Sequence, residues 1–195
     1  KNKVKLIGDK SLSKRDFSRV VRPLKLMGAN IKSKNNTLPI EISGTKFLRP
    51  IKYNENIGSA QVKSCLILSA LNTPGETIIN SKISRNHTEL MLKFLKYPIS
   101  IRKIDNADII SVEGLSQFKA FEYYVPGDIS SASFFIVLTL LSENSQMIIK
   151  NTNINKSRIG IITILNKMGA RIKLKKTRIY NGEKFQIKFD SLDGI

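Results

Sequence analysis

Polar side chains suited to holding small anions gather where the predicted helices begin. They are Arg15 in the first predicted helix, Ser59, Gln61 and Lys63 in the second, and Ser84, Arg85 and His87 in the third. Arginine offers a planar fork to phosphates and carboxylates, serine and glutamine donate single hydrogen bonds, and a helix N-terminus attracts negative charge. The pattern therefore indicates anion sites, although a solvated helix face is the plain alternative for Arg15 or Lys63.

The chain has few of the residues that metal binding, disulfide formation or nucleophilic catalysis would require. It has one histidine, His87, one cysteine, Cys65, and no cluster of acidic residues, so we expect no metal site, no disulfide and no Ser-His-Asp triad. The segment Gly8–Ser11 lacks the leading glycine and the spacing of a P-loop. The sequence predicts no cofactor.

The charge is strongly positive, with 33 Lys and Arg against 15 Asp and Glu and a formal net charge of +18. Such a balance suits nucleic acid or anionic surfaces. The lysines are scattered, however, in a chain rich in Asn and Ile, and a compositional bias explains much of the charge. No apolar run reaches the roughly 18–20 residues that a membrane span needs, so we expect no membrane partner and a cytoplasmic protein.

A short phrase recurs where a predicted helix turns into a strand. Met27-Gly28-Ala29 is repeated as Met168-Gly169-Ala170, and Lys96-Tyr97-Pro98 is a degenerate copy without the glycine. The copies lie about 70 residues apart, which predicts a fold of repeated units. Glycine ends a helix in the left-handed conformation, so the phrase is interpreted as structural.

The hydrophobic spacing predicts an α/β fold. Helices are expected at residues 12–27, 59–71, 85–95, 129–141 and 156–168, with Ser59 as an N-cap. Strands are expected at residues 4–7, near 31, at 40–42, 51–53, 77–79, 99–101, 108–112, 121–125, 146–150, 170–174 and 184–189. The order strand, helix, strand, helix, strand, strand recurs.

A set of motifs in fixed order resembles the 5-enolpyruvylshikimate-3-phosphate synthase family. The motifs occupy residues 8–15, 22–29, 38–44, 59–64, 72–75, 84–89, 125–132 and 155–158. The resemblance implies repeated βαβαββ units of the enolpyruvyl transferase fold, an inside-out α/β barrel with two domains. Residues 1–125 would form one partial and one complete unit of one domain, and residues 126–195 would begin the other. The chain starts at Lys1 and is expected to be an internal fragment of about half the protein.

The resemblance also implies an activity. The family transfers the enolpyruvyl group of phosphoenolpyruvate to the 5-hydroxyl of shikimate 3-phosphate and releases phosphate, in aromatic amino acid biosynthesis. It proceeds through a tetrahedral intermediate without metal or organic cofactor. The expected partners are these two small anions, with no nucleic acid, and the full-length protein is expected to be a monomer.

Six positions match the family's binding residues. Arg15 looks like the arginine that grips phosphoenolpyruvate, whereas Ser59, Ala60, Gln61, Ser84 and Arg85 look like shikimate 3-phosphate contacts, with Gln61 also near phosphoenolpyruvate. No catalytic residue is assigned in this stretch, and Asp128 is not taken as the base. Asp16 stands where the family usually has proline, which places an acid beside the expected anion site.

Three other interpretations are weighed against this one. The related enolpyruvyl transferase that acts on UDP-N-acetylglucosamine uses a loop cysteine, whereas Cys65 falls in an apolar helical stretch. A nucleic-acid-binding module would need exposed aromatic residues among its lysines, and most of the aromatic residues here are expected at core-like positions. A third alternative is an inactive remnant that acts only as a scaffold.

We expect the 195-residue chain alone to be inactive. The resemblance places the catalytic aspartate and further substrate-binding arginines and lysines outside this stretch. A phosphate-release assay on the purified chain with both substrates measures this, with a complete member of the family as the positive control. Turnover dependent on both substrates would contradict the expectation.

Overall fold

The computed structural model describes residues 2–174, 178–180 and 183–190 and has α/β architecture. The helices are α1 (Ser18–Leu26), α2 (Ala60–Leu71), α3 (His87–Phe94), α4 (Ile129–Leu141) and α5 (Gly160–Lys167). The strands are β1 (Lys3–Leu6), β2 (Asn30–Ser33), β3 (Ile40–Ser43), β4 (Lys52–Glu55), β5 (Glu76–Lys82), β6 (Ile99–Ile104), β7 (Ala107–Glu113), β8 (Gln146–Asn153), β9 (Ile172–Lys173), β10 (Arg178–Tyr180) and β11 (Glu183–Asp190). Within the described residues, no helix is long and apolar enough to cross a membrane.

The sheets show the same pairing three times. The orders are β1-β3-β2, β4-β5-β7-β6 and β10-β11-β8, with β9 also paired to β11. In each sheet a strand that precedes a helix pairs antiparallel with a later strand, and that later strand also pairs with the strand following the helix. The parallel pair of β4 and β5 is reduced in the last repeat to a parallel bridge between Gly127 and Thr152. The predicted repetition is confirmed.

The chain divides into two compact units. The first comprises residues up to Ser84 together with Leu95–Phe118, and the second comprises Arg85–Phe94 together with the residues from Lys119 onward. The predicted domain boundary after residue 125 concerns the family's two domains, and it stays a prediction.

Each unit has its own hydrophobic packing. In the first, α1 packs on β2 and β3 through Val21, Ile31 and Ile40. α2 packs against β5 and β7, and four of its side chains, Val62, Leu66, Ile67 and Ala70, are at most 2% exposed. In the second unit, a buried cluster joins α4, α5 and β9. It consists of Ile129, Ala132, Ile136, Ile154, Ile162, Ala170 and Ile172.

The recurring phrase ends its helices as predicted. Gly28 and Gly169 have φ angles of +91° and +97°, in the left-handed region that favours glycine. Lys96, which replaces the glycine in the degenerate copy, adopts the same region with a φ of +54°. α3 therefore ends in the same left-handed turn, although lysine is less suited than glycine to a positive φ.

Three sequence predictions differ from the structure. The helix expected at residues 12–27 is a 3-10 turn at Leu12–Lys14 followed by α1, because the extended backbone of Arg15 interrupts the helical path between them. The strand expected at residues 121–125 does not form; those residues are described without strand pairing, and a bridge follows at Gly127. The last helix begins at Gly160 rather than at residue 156, because Asn155 organises a turn through Ser157.

Replacing Gly114 by alanine should destabilise the first unit. A Cβ atom at Gly114 would lie 1.6 Å from the carbonyl oxygen of Thr73 and 2.6 Å from that of Ala70. Since both obstacles are backbone, no side-chain rotation relieves them, and we expect a loss of about 3 kcal/mol or more in the free energy of unfolding. Urea denaturation followed by circular dichroism measures it.

Gly160→Ala is the control for this substitution. A Cβ atom there meets nothing within 4 Å, and alanine favours the helix that Gly160 begins. Its stability should be unchanged or slightly higher. An equal loss in both variants would contradict the steric account.

Candidate functional site

The segment Ser59–Gln61 forms the N-terminus of α2, as predicted. Ser59 has extended backbone angles, and its Oγ accepts a hydrogen bond from the N–H of Val62 at 3.4 Å. Gly58, just before it, has a φ of +78°, so the chain turns sharply into the helix. Ser59 and Ala60 are half-buried, and Gln61 is exposed. The N-terminus of α2 therefore presents backbone N–H groups and an amide side chain to an anion.

Lys63 does not belong to this accessible group. It was counted with Ser59 and Gln61 among the residues that open the second helix, but its side chain is 0% exposed. The helical period places it one turn from Ser59, on the side of α2 that also buries Val62 and Leu66. The solvated helix face considered for Lys63 is therefore wrong.

Arg15 lies in a connection rather than inside a helix. It follows the 3-10 turn Leu12–Lys14 with extended backbone angles of φ −76° and ψ 141°, and its side chain is exposed. Its N–H donates to the carbonyl of Leu12 at 3.1 Å. α1, which begins three residues later, contacts α2, so the same compact unit holds Arg15 and the Ser59–Gln61 segment.

Asp16 is hydrogen-bonded to Ser18, the first residue of α1. Its carboxylate accepts the hydroxyl and the backbone N–H of Ser18, both at 2.7 Å. These hydrogen bonds lower the pKa of Asp16 below its ordinary value, and the bond from the hydroxyl of Ser18 has the largest effect. Asp16, next to the exposed Arg15, is therefore engaged with the start of α1.

Ser84 and Arg85 lie in the connection between β5 and α3. The Oγ of Ser84 is buried and has no hydrogen-bond partner among the described residues, whereas Arg85 is exposed. Ser84 belongs to the first compact unit and Arg85 to the second. A buried hydroxyl without a partner is uncommon in folded proteins, which makes Ser84 a candidate for a ligand contact.

A cavity of about 310 Å³ in the second unit brings together residues that are distant in sequence. Arg85, His87, Asp128 and Arg158 are among the residues that line it. The guanidinium of Arg158 lies 2.6 Å from Oδ1 of Asp128 and also donates to the Oγ of Ser130 at 2.6 Å. The cavity therefore carries two arginines, of which Arg158 is already bound to a carboxylate.

Asp128, which lines this cavity, is also the N-cap of α4. Its Oδ1 accepts the N–H of Ser130 at 3.1 Å. This backbone hydrogen bond, followed by the charge and hydrogen bond of Arg158, lowers the pKa of Asp128. Sequence reasoning noticed both residues within motifs but did not predict their pairing, because 30 residues separate them.

No metal centre is evident in the part of the chain that the structure describes. Residues 2–174, 178–180 and 183–190 contain no group of three or more His, Cys, Asp and Glu side chains placed to hold an ion. Hydroxyl and amide side chains lie at the start of α2, and two arginines, a histidine and an aspartate are among the residues that line the cavity of the second unit.

Comparison with known proteins gives a consistent result. A model of the family "EPSP synthase (3-phosphoshikimate 1-carboxyvinyltransferase)" matches residues 1–192. The chain is 43% identical over 194 residues to a 3-phosphoshikimate 1-carboxyvinyltransferase of Ruthia magnifica, covering 97% of this chain and 44% of that protein. It is 45% identical over 182 residues to the protein of the same name from Caldicellulosiruptor bescii, covering 91% and 42%.

A solved structure agrees with the sequence comparisons. EPSP synthase from Acinetobacter baumannii superposes with a TM-score of 0.81 at 36% identity, covering 97% of this chain and 42% of that one. The chain thus spans somewhat less than half the length of the proteins it matches.

Replacing Asp128 by alanine should destabilise the second unit by about 1 kcal/mol near neutral pH, since the α4 cap is lost. Asp128→Asn is the matched variant, because asparagine caps equally well but carries no charge for Arg158. The pKa of Asp128 is lowered on folding, so its charge stabilises above the unfolded pKa, and that contribution is lost as pH falls through the folded value.

Thermal unfolding between about pH 7 and pH 2 measures both effects, since an unperturbed aspartate titrates near pH 3.9. The alanine variant should unfold earlier at pH 7. Any advantage of the wild type over Asp128→Asn should shrink as the pH falls below about 4. An advantage that grows toward low pH would contradict the sign of the pKa shift.

Proposed function

The chain belongs to the EPSP synthase family, and we propose on that premise that it is about half of a 3-phosphoshikimate 1-carboxyvinyltransferase. Such an enzyme transfers the enolpyruvyl group of phosphoenolpyruvate to the 5-hydroxyl of shikimate 3-phosphate and releases phosphate. We also propose that it acts in the cytoplasm as a monomer. The observation that carries the proposal is the family match along residues 1–192.

The Ser59–Gln61 segment is proposed to bind shikimate 3-phosphate. The N-terminus of α2 offers free backbone N–H groups, which favour an anionic group. The side chain of Ser59 accepts the N–H of Val62 at 3.4 Å, and the N–H groups of the first turn are proposed to donate to the ligand. Gln61 is exposed, and its amide can donate to either substrate.

Ser84 and Arg85 are proposed as further contacts to the same substrate. The Ser84 hydroxyl is buried without a hydrogen-bond partner among the described residues, which supports a role in binding a ligand. The guanidinium of Arg85 lines the cavity of the second unit and can hold an oxyanion through two parallel hydrogen bonds.

Arg15 is proposed to grip phosphoenolpyruvate. Its guanidinium is exposed beside the start of α1, and neighbouring Asp16 is engaged with Ser18. A guanidinium matches the geometry of both the carboxylate and the phosphate of this substrate. Two anions held side by side repel each other, and fixed cations and N–H groups offset that repulsion as the tetrahedral intermediate forms.

Cys65 argues against the related transfer to UDP-N-acetylglucosamine. The thiol is half-buried within α2, and burial raises its pKa. A raised pKa disfavours the thiolate that a reactive loop cysteine requires. Shikimate 3-phosphate therefore remains the proposed acceptor.

Replacing Arg15 by alanine in the complete enzyme should impair the use of phosphoenolpyruvate. A lost hydrogen bond to a charged group amounts to about 1.5–3 kcal/mol, which corresponds to roughly a tenfold to hundredfold fall in kcat/KM. Steady-state kinetics with phosphoenolpyruvate as the varied substrate measures it.

Arg19→Ala is the matched control, because Arg19 is also exposed and lies four residues further along, in the first turn of α1. It should leave the kinetics nearly unchanged. Equal effects of the two substitutions would point to general charge rather than to a specific contact at Arg15.

A further inference from the structure

Glu55 is a buried carboxylate that the family resemblance does not assign. It is the last residue of β4 and is 3% exposed. Among the residues that the structure describes, no cation forms an ion pair with it. Charged side chains are rarely buried to this degree without partners that satisfy them.

Hydrogen-bond donors satisfy the carboxylate instead. Oε1 accepts the N–H of Ile57 at 3.1 Å, and Oε2 accepts the N–H of Gly58 at 2.8 Å. Oε2 also accepts the hydroxyl of Ser81 on β5 at 3.3 Å. Hydrogen bonds are stronger away from water, so these donors offset the cost of burying the carboxyl group.

Two of these three bonds hold the connection that leads into α2. Residues 56–58 are the entire link between β4 and Ser59, and the carboxylate binds the N–H groups of the last two. The third bond ties the carboxylate to the neighbouring strand. Glu55 therefore joins the backbone that precedes Ser59 to the sheet.

We propose that Glu55 is a positioning residue for the shikimate 3-phosphate site. Its hydrogen bonds fix the backbone of residues 56–58, which leads into Ser59. The position of Ser59 in turn determines how the N–H groups of α2 and the side chain of Gln61 face the ligand. It does not touch the substrate. The inference rests on the function proposed above.

Glu55→Gln is the decisive variant because it has nearly the same volume. One acceptor oxygen becomes an NH₂ group, which cannot accept the hydrogen bonds now made to that atom. In the complete enzyme we expect the KM for shikimate 3-phosphate to rise roughly three- to tenfold, the range for one lost hydrogen bond. The KM for phosphoenolpyruvate should also rise, because Gln61 is proposed to contact both substrates, but it should rise less, since Arg15 lies on a different segment.

Two further variants separate positioning from general stability. Glu55→Asp keeps both acceptor oxygens, so its KM for shikimate 3-phosphate should lie between those of the wild type and Glu55→Gln. Glu76→Gln makes the same chemical change on β5, where the carboxylate accepts the hydroxyl of Ser111, and should leave both KM values unchanged. Thermal unfolding of all variants accompanies the kinetics.

Each outcome decides the inference. A selective rise in the shikimate 3-phosphate KM, larger for glutamine than for aspartate, supports it. Unchanged KM values, or equal changes for both substrates, overturn it; if the glutamine variant does not fold, the aspartate variant is judged by the same selectivity. A wild-type enzyme without activity on these substrates would instead refute the proposed function.

Discussion

The packing of α2 against its sheet is the constraint on which the candidate site depends. Val62, Leu66, Ile67 and Ala70 are almost wholly removed from solvent, so the helix cannot rotate or slide without exposing apolar surface. Its C-terminal end is equally confined, because Gly114 approaches the backbone of the following turn too closely to admit a Cβ atom. Because the body of the helix is fixed in this way, the short connection from β4 determines the geometry of its N-terminus.

The connection between β4 and α2 explains how a well-packed helix can leave its N-terminus accessible to an anion. A helix N-terminus carries backbone N–H groups without partners inside the helix, and these serve a ligand only if the entering chain does not cover them. Ser59 caps α2 through a single long hydrogen bond, and Gly58 turns the chain with a positive φ. Glu55 holds the preceding backbone from the side of the sheet through the N–H groups of Ile57 and Gly58.

Much of the fold could be predicted from the sequence, since local signals agree with the packing. Alternation and helical spacing indicated most strands and helices, and the repeated glycine marked the ends of α1 and α5. The strand expected at residues 121–125 does not form, because strand propensity is expressed only where a neighbouring strand is available, and in this part of the described chain the pairing is a bridge at Gly127. The first helix was predicted too long because hydrophobic spacing did not reveal the extended backbone of Arg15, which separates the 3-10 turn from α1.

The candidate site was less accessible to sequence reasoning. The cap at Ser59 is local and was predicted, but the bonds of Ser81 to Glu55 and of Arg158 to Asp128 join residues 26 and 30 positions apart. Such contacts are consequences of topology and leave no local pattern.

The most direct test of the account is calorimetric titration of the complete polypeptide that carries this chain. Shikimate 3-phosphate should bind at a single site, and its affinity should fall when Ser59 or Arg85 is replaced by alanine. UDP-N-acetylglucosamine should not bind. Binding of the nucleotide sugar in place of shikimate 3-phosphate, or of neither, would contradict the central claim.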